Sequence, residues 1–161
     1  MNNFECEQFL EITLELGRQY VQTGAEIKRV EDSLKRIYEA YGFDNIEIYA
    51  VTSLIVVTIK APDGTHYTQS VRVTSGGTDL GRLEEINAQI RYICSNTPKL
   101  EELVDSIKNY KKPKPKPFIK CLGYMLASGS FAIFFGGDFY DGIAAFLIGM
   151  AIYFMDYRLK W

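Results

Sequence analysis

The chain has 161 residues, enough for one ordinary domain and a little more, and its net charge is -2. That charge gives no general attraction to nucleic acid, and no basic recognition helix appears, so no nucleic-acid partner is expected. The three cysteines include no Cys-x-x-Cys pair and there is one histidine, so neither a disulfide framework nor a metal site is supported, and no cofactor is expected. The N-terminus has no basic region followed by an apolar run, so we expect no cleavable secretory signal.

The first two predicted elements are amphipathic helices over residues 5–22 and about 25–41. Thr23, followed three residues later by Glu26, fits a capping box at the start of the second helix, and Gly42 ends it. The inward side chains of the first helix are Phe9, Leu10, Thr13, Leu14, Leu16, Tyr20 and Val21. Those of the second helix are Ile27, Val30, Leu34, Ile37 and Tyr41.

Three strands follow at residues 46–50, 54–60 and 66–73, and Asp63-Gly64 marks a hairpin turn between the last two. Thr78 is predicted to cap a third helix, and Pro98 starts a fourth. The order ααβββαα predicts a small α+β domain over residues 1–110, with an antiparallel sheet and helices over one face. The inward side chains of the last two helices are Leu80, Leu83, Ile86, Ile90 and Ile93, then Leu100, Leu103, Val104 and Ile107.

Lysine and proline alternate over residues 111–117. The prolines favour an extended chain, and the lysines repel one another. We predict a tether beside a membrane, because anionic headgroups attract each lysine by roughly 1 kcal/mol. The alternative is a ligand for a domain that binds proline motifs.

Residues 118–161 predict a hairpin of two transmembrane helices, at about 118–137 and 142–157. Each run is almost free of charge, and about 20 helical residues cross a bilayer. Tyr140 and Trp161 would extend the shorter second run as interfacial aromatics. The alternative is a pair of buried core helices in a larger soluble domain.

The charges around this hairpin predict its orientation. Lysines precede the first span, Arg158 and Lys160 follow the second, and the connecting loop holds Asp138 and Asp141 without a base. The positive-inside rule then places both ends in the cytoplasm. The expected location is the cytoplasmic membrane, with the lipid bilayer as a partner, two or more spans, and the N-terminal domain in the cytoplasm.

Small residues recur every four positions along both spans, a spacing that lets helix backbones approach closely in lipid. The predicted helix-packing residues are Ser128, Ala132, Gly136, Ala145 and Gly149.

Three short motifs resemble the threonine/serine exporter family: residues 24–32 (GAEIKRVED), 79–83 (DLGRL) and 134–141 (FFGGDFYD). The resemblance covers essentially the whole chain. It implies a cytosolic domain before a bundle of membrane helices, and export of a small polar metabolite such as threonine, serine or a dicarboxylate like succinate. The family's N-terminal unit has more spans than two, which implies further membrane helices or a second membrane subunit, and we expect an oligomer. Members often have threonine where this chain has Ile27, so a hydroxyl is missing there.

Four charged residues of the domain are candidates for a role in substrate binding or gating. Glu26 could contact a substrate or a gate, although the capping box with Thr23 is the better explanation of this residue. Arg29 and Glu31 lie beside the apolar stripe of their helix, and could form a structural ion pair or a regulatory contact. Asp79 fits an ordinary first-turn acid at the positive end of a helix.

The loop acids Asp138 and Asp141 could guard an outer vestibule or accept a proton, or could lie in a solvated loop. The sequence shows no nucleophile–base pair and no phosphate-binding loop, so an enzyme is not expected. Two functions therefore remain: part of a secondary transporter that exports small polar metabolites, or a membrane-tethered sensory or protein-interaction module.

Overall fold

A computed structural model describes residues 3–61, 64–108 and 116–159 of the chain, with side chains from residue 5 onward. Contacts divide the chain into two units, Met1–Lys111 and Lys112–Trp161, which are described separately. Most of the predicted tether, Asp63 of the predicted hairpin turn and the terminal Trp161 lie outside the described residues.

The first unit contains four helices and one three-stranded sheet within its described residues, in the predicted order ααβββαα. The predicted α+β fold class is therefore confirmed. In chain order the elements are α1 (Asn3–Gln22), α2 (Ile27–Ala40), β1 (Asp44–Val51), β2 (Leu54–Lys60), β3 (His66–Arg72), α3 (Leu80–Asn96) and α4 (Leu100–Lys108).

The sheet has the order β1-β2-β3, and both pairs are antiparallel. Side chains alternate between its faces along the central strand, so Ile55, Val57 and Ile59 are fully buried on one face. Helix α2 packs on β1, and α1 packs on β2 and β3. On the opposite face the hydroxyls of Thr58 and Thr68 lie 2.8 Å apart and remain exposed, so helices cover only one face of the sheet.

Helix α1 is the centre of the core, since it contacts the sheet as well as α2, α3 and α4. This position explains why Ile12 is buried although the sequence pattern did not place it inward. The buried hydroxyl of Thr13 lies 2.7 Å from the carbonyl oxygen of Phe9 and 2.6 Å from the hydroxyl of Tyr38. Burial raises the pKa of Tyr38, more than its hydrogen bond to Thr13 lowers it, so the phenol stays neutral.

One predicted core position of the first unit is wrong. Leu80 is 69% exposed, whereas Ile86, Ile90 and Ile93 further along α3 are buried as predicted. Leu80 is the first residue of α3. Its position in the apolar stripe predicts that it faces inward, but at the start of the helix it does not reach the core. The amphipathic pattern therefore predicts α3 correctly, except in its first turn.

The second unit consists of α5 (Pro117–Phe134) and α6 (Phe139–Leu159), which pack against each other as an antiparallel hairpin. Both helices are long and apolar enough to cross a membrane, and few of their residues are buried. The turn lies a few residues earlier than predicted, because α5 ends at Phe134 and α6 already begins at Phe139. The predicted loop acids therefore belong to the start of α6.

Candidate functional site

The first two family-like motifs meet in the folded domain. The backbone N–H of Gly77 donates to the carbonyl oxygen of Gln22 (3.1 Å), and that of Asp79 donates to the carbonyl oxygen of Thr23 (3.0 Å). A Cβ atom on Gly24 would lie 2.9 Å from the carbonyl oxygen of Gly77, and φ of Gly24 is +88°. Only glycine fits this contact without strain, so the α1–α2 turn is fixed to the loop that starts α3.

The predicted capping box at Thr23 and Glu26 is wrong. The hydroxyl of Thr23 donates to the carbonyl oxygen of Tyr20 (2.6 Å), back into the end of α1. Glu26 occupies the N-cap position of α2, but its side chain makes no capping hydrogen bond. The left-handed turn at Gly24 separates the two residues, so the sequence spacing of a capping box does not produce its geometry.

A groove of about 730 Å³ lies between α2 and α3. The two helices run in the same direction, because Gly24 adjoins Thr78 at their starts and the hydroxyl of Tyr41 donates to the carbonyl oxygen of Pro98 (2.6 Å) at their ends. Asn87 lines the groove and accepts a hydrogen bond from the buried Tyr20. The charged lining residues are Glu26, Lys28, Arg29, Asp32, Arg36, Glu84 and Arg91.

None of these seven side chains forms a hydrogen bond or ion pair with another described residue. The groove instead presents four cations and three carboxylates to solvent. Glu26 and Arg29, predicted from sequence as candidates, therefore lie together in a charged groove.

Glu31 lies elsewhere and has a structural contact. Its Oε1 accepts a hydrogen bond from the backbone N–H of Ala50 (2.8 Å) near the end of β1. The contact fixes α2 to the sheet. Arg29 is exposed on the groove side, so Arg29 and Glu31 do not act as a pair in the described structure.

Asp79 is the N-cap of α3, where Thr78 was predicted, so the Thr78 prediction is wrong. Asp79 Oδ1 accepts from the backbone N–H of Arg82 (3.1 Å). The Arg82 side chain is 8% exposed, and its Nη2 donates to Gln19 Oε1 on α1 (2.6 Å). The first residue of the DLGRL motif, Asp79, thus caps α3, and the fourth, Arg82, binds the central helix α1.

The polar contact of Arg82 with Gln19 continues along α1, and no pattern in the sequence predicts it. Gln19 Nε2 donates to Glu15 Oε1 (3.0 Å), which also forms an ion pair with Arg18 Nη2 (2.7 Å). Partial burial opposes ionisation of the Glu15 carboxyl, but hydrogen bonds from Arg18 and Gln19 outweigh it and lower its pKa.

Loss of the α3 cap is the first testable prediction. Asp79→Ala removes the acceptor for the N–H of Arg82 and should lower the free energy of unfolding by about 1 kcal/mol. Thr78→Ala is the matched control and should change it little, since its hydroxyl makes no hydrogen bond with a described residue. Thermal unfolding of residues 1–110 measures both variants. Equal destabilisation by the two substitutions would contradict the assignment of the cap.

Asp138 and Asp141 form a reciprocal pair at the start of α6. The N–H of Asp141 donates to Asp138 Oδ1 (2.9 Å), and the N–H of Asp138 donates to Asp141 Oδ2 (3.1 Å). This is the geometry of a capping box, built here from two aspartates. Each carboxylate satisfies a free backbone donor, so the pair sets the point at which the chain turns back into α6.

The predicted packing residues divide between the α5–α6 interface and the turn. A Cβ atom on Gly149 would lie 2.6 Å from both Ser128 Oγ and the carbonyl oxygen of Tyr124. Gly129 and Gly142, which the four-residue spacing did not include, approach closely as well: a Cβ on Gly129 would lie 3.1 Å from the carbonyl oxygen of Gly142.

Ala132 and Ala145 are half-buried. Gly136 lies beyond the end of α5 with φ +96°, and a Cβ there would meet nothing within 4 Å. It makes no close approach between the two helices and instead belongs to the turn.

Within the described residues no group of three or more His, Cys, Asp or Glu side chains could hold a metal ion. The three cysteines, Cys6, Cys94 and Cys121, form no disulfide.

A folded α+β unit followed by two apolar helices long enough to cross a membrane, which pack closely through glycines, is the architecture of a membrane protein that carries a folded domain. The chain belongs to the family described as "Putative threonine/serine exporter", whose family model matches residues 11–161. Comparison with curated proteins and with solved structures gives no significant match. The family places the chain among membrane transporters rather than enzymes.

Proposed function

We propose that this chain forms part of a secondary transporter that exports a small polar metabolite across the cytoplasmic membrane. The observation that carries the proposal is the family match over residues 11–161, which includes both the α+β unit and the two apolar helices. Threonine and serine are the substrates that the family description names, and dicarboxylates such as succinate are the alternative.

The charges of the described residues support a cytosolic position for the N-terminal domain. Lys116 and Lys120 stand at the start of α5, and Arg158 stands at the end of α6. Asp138 and Asp141 stand at the opposite end of the hairpin. If both helices cross the membrane, the positive-inside rule assigns the basic end to the cytoplasm and the turn to the outside.

Two helices do not enclose a path for a polar solute, because such a path needs polar groups facing a cavity between several helices. The hairpin has large exposed apolar side chains along both helices, among them Phe131, Leu147, Ile148 and Phe154. We therefore propose that further membrane helices or a second membrane subunit complete the transporter, and that the assembly is oligomeric. In that assembly part of this surface faces protein and the rest faces lipid.

The α2–α3 groove favours a second, compatible function, which is ligand or protein binding by the cytosolic domain. Its charged side chains have no partners among the described residues, so the cost of breaking internal ion pairs would not oppose binding. A double variant, Arg29→Ala with Arg36→Ala, tests this role. If the double variant changes the regulation of the export rate while the domain keeps its stability, the binding role of the groove is supported. If the regulation of the export rate does not change, that role is contradicted.

Efflux of labelled threonine tests the proposed transport directly. Cells that express the complete transporter are loaded with labelled threonine, and the rate of release is compared with that of cells lacking it. We expect release several-fold faster with the transporter, and slower release when the proton gradient is collapsed. Labelled succinate is measured in parallel. No acceleration for either substrate would contradict the proposal.

A further inference from the structure

The second membrane helix contains one carboxylate away from its capping turn. Asp156 is the only acidic residue between Gly142 and Leu159, and α5 contains none. The hydroxyl of Tyr124 on α5 donates to Asp156 Oδ2 across the hairpin (3.2 Å). Asp156 lies at the end of the apolar span and is hydrogen-bonded to the neighbouring helix, which makes it a candidate for contact with a polar substrate.

Tyrosines lie beside this carboxylate, since Tyr124 is hydrogen-bonded to it and Tyr153 and Tyr157 are near it on α6. The rings of Tyr124 and Tyr153 meet edge to face at 5.7 Å, and Tyr153 and Tyr157 stack at 6.2 Å. Tyr153 is 8% exposed and lies one helical turn before Tyr157, with Asp156 between them in sequence. A carboxylate combined with tyrosine faces is the chemistry that recognises an ammonium group, by ion pairing and by cation–π attraction.

We propose that Asp156, with Tyr124 and Tyr153, binds the α-ammonium group of an amino-acid substrate at the cytosolic end of the hairpin. Asp156 lies three residues before the end of α6, about 4.5 Å along the helix axis. An exporter takes up its substrate from the cytosol, so a site at this depth meets the substrate first. The assignment rests on the proposed function and deepens it, because a carboxylate here attracts threonine or serine and repels a dicarboxylate.

A purely structural role makes a different prediction. The hydrogen bond from Tyr124 also holds α5 to α6, as polar contacts between membrane helices do. Asparagine at position 156 keeps an oxygen that accepts this hydrogen bond and removes only the negative charge. Asp156→Asn therefore preserves the helix contact and abolishes ammonium recognition, whereas Asp156→Glu keeps the charge.

Inside-out membrane vesicles containing the complete transporter test the assignment, since their outer surface is the cytosolic face. Uptake of labelled threonine gives KM and maximal rate at matched membrane levels of each variant. Asp156→Asn should raise KM about tenfold to a hundredfold, the range for losing a charged hydrogen-bond partner. Asp156→Glu keeps the charge and should reverse at least part of this increase in KM. A role that depends only on the shape of the aspartate side chain would not predict that reversal.

The wild-type transporter supplies a second readout that does not depend on any variant. In 2,3-dihydroxybutanoate a hydroxyl replaces the ammonium group of threonine, so the compound should compete poorly with labelled threonine. Equal competition by this compound, or an unchanged KM in Asp156→Asn, would overturn the assignment while leaving export intact. Absence of threonine uptake by the wild type would overturn the proposed threonine export and the assignment with it.

Discussion

Replacing Gly149 with leucine is expected to separate the two membrane helices and to abolish export. A Cβ atom on Gly149 would lie 2.6 Å from the carbonyl oxygen of Tyr124 and from Ser128 Oγ. The first of these atoms belongs to the backbone, so a side-chain rotation does not relieve the clash. Larger side chains at a tightly packed contact usually cost about 1–3 kcal/mol, and a backbone clash places this change at the upper end.

Gly123→Leu provides the matched control for Gly149→Leu. Gly123 also lies within a membrane helix, but a Cβ there meets no atom within 4 Å. Thermal aggregation of the purified chain in detergent should occur at a clearly lower temperature for Gly149→Leu than for Gly123→Leu. Threonine efflux from the complete transporter gives the functional comparison. Normal stability and efflux of the Gly149 variant would show that this contact does not hold the hairpin together.

Burying a carboxylate at position 30 should unfold the α+β domain. Val30 is fully buried on α2, in the same core as Leu34 and Ile37. An unpaired carboxylate in such a place costs several kcal/mol, or is protonated at a similar cost, and a typical domain is stable by only about 5–15 kcal/mol. Val30→Asp should therefore leave a large fraction of the domain unfolded.

Lys28→Asp introduces the same residue two positions earlier on the same helix. Lys28 is exposed in the first turn of α2, where an acidic residue is favourable near the helix N-terminus. Hydrogen exchange of the α1 amides in the purified full-length chain distinguishes the two variants. Protection should persist in Lys28→Asp and disappear in Val30→Asp. Comparable protection in both would mean that position 30 does not face the core.

Periodicity was sufficient for the elements of the domain, because each carries its own apolar stripe. The fully buried residues Phe9, Leu34, Ile37 and Ile86 were all predicted from helical spacing alone. Their burial depends mainly on local sequence and on which face meets the sheet. For the same reason the order ααβββαα could be predicted before any tertiary contact was known.

The helix ends were harder to predict, because a capping motif depends on backbone geometry as well as spacing. Thr23 and Glu26 have the spacing of a capping box, but the left-handed Gly24 between them prevents it. Asp138 and Asp141 form a capping box with two aspartates, where the sequence left a solvated loop and a functional role equally open. At Thr23 and Glu26 the positive φ of the intervening Gly24 decides the outcome.

The proposed binding groups depend on contacts between distant segments, which periodicity does not give. The α2–α3 groove requires that the two helices run in parallel, and this follows from the contact of Gly24 with Thr78 at their starts and of Tyr41 with Pro98 at their ends. The Tyr124–Asp156 hydrogen bond joins residues 32 positions apart, so it depends on the register of the hairpin. That register is fixed by the close approach at Gly149, and sequence spacing alone predicted only part of this interface.

Export from the cytosol and ammonium binding at Asp156 both require the basic end of the hairpin to lie in the cytoplasm. Cysteine labelling of intact cells with a membrane-impermeant reagent measures this directly. In a Cys121→Ser background, a cysteine replacing the exposed Tyr140 should be labelled from outside, while native Cys94 in the domain should react only after the cells are opened. Labelling of Cys94 in intact cells, with protection of position 140, would contradict the orientation and the export mechanism built on it.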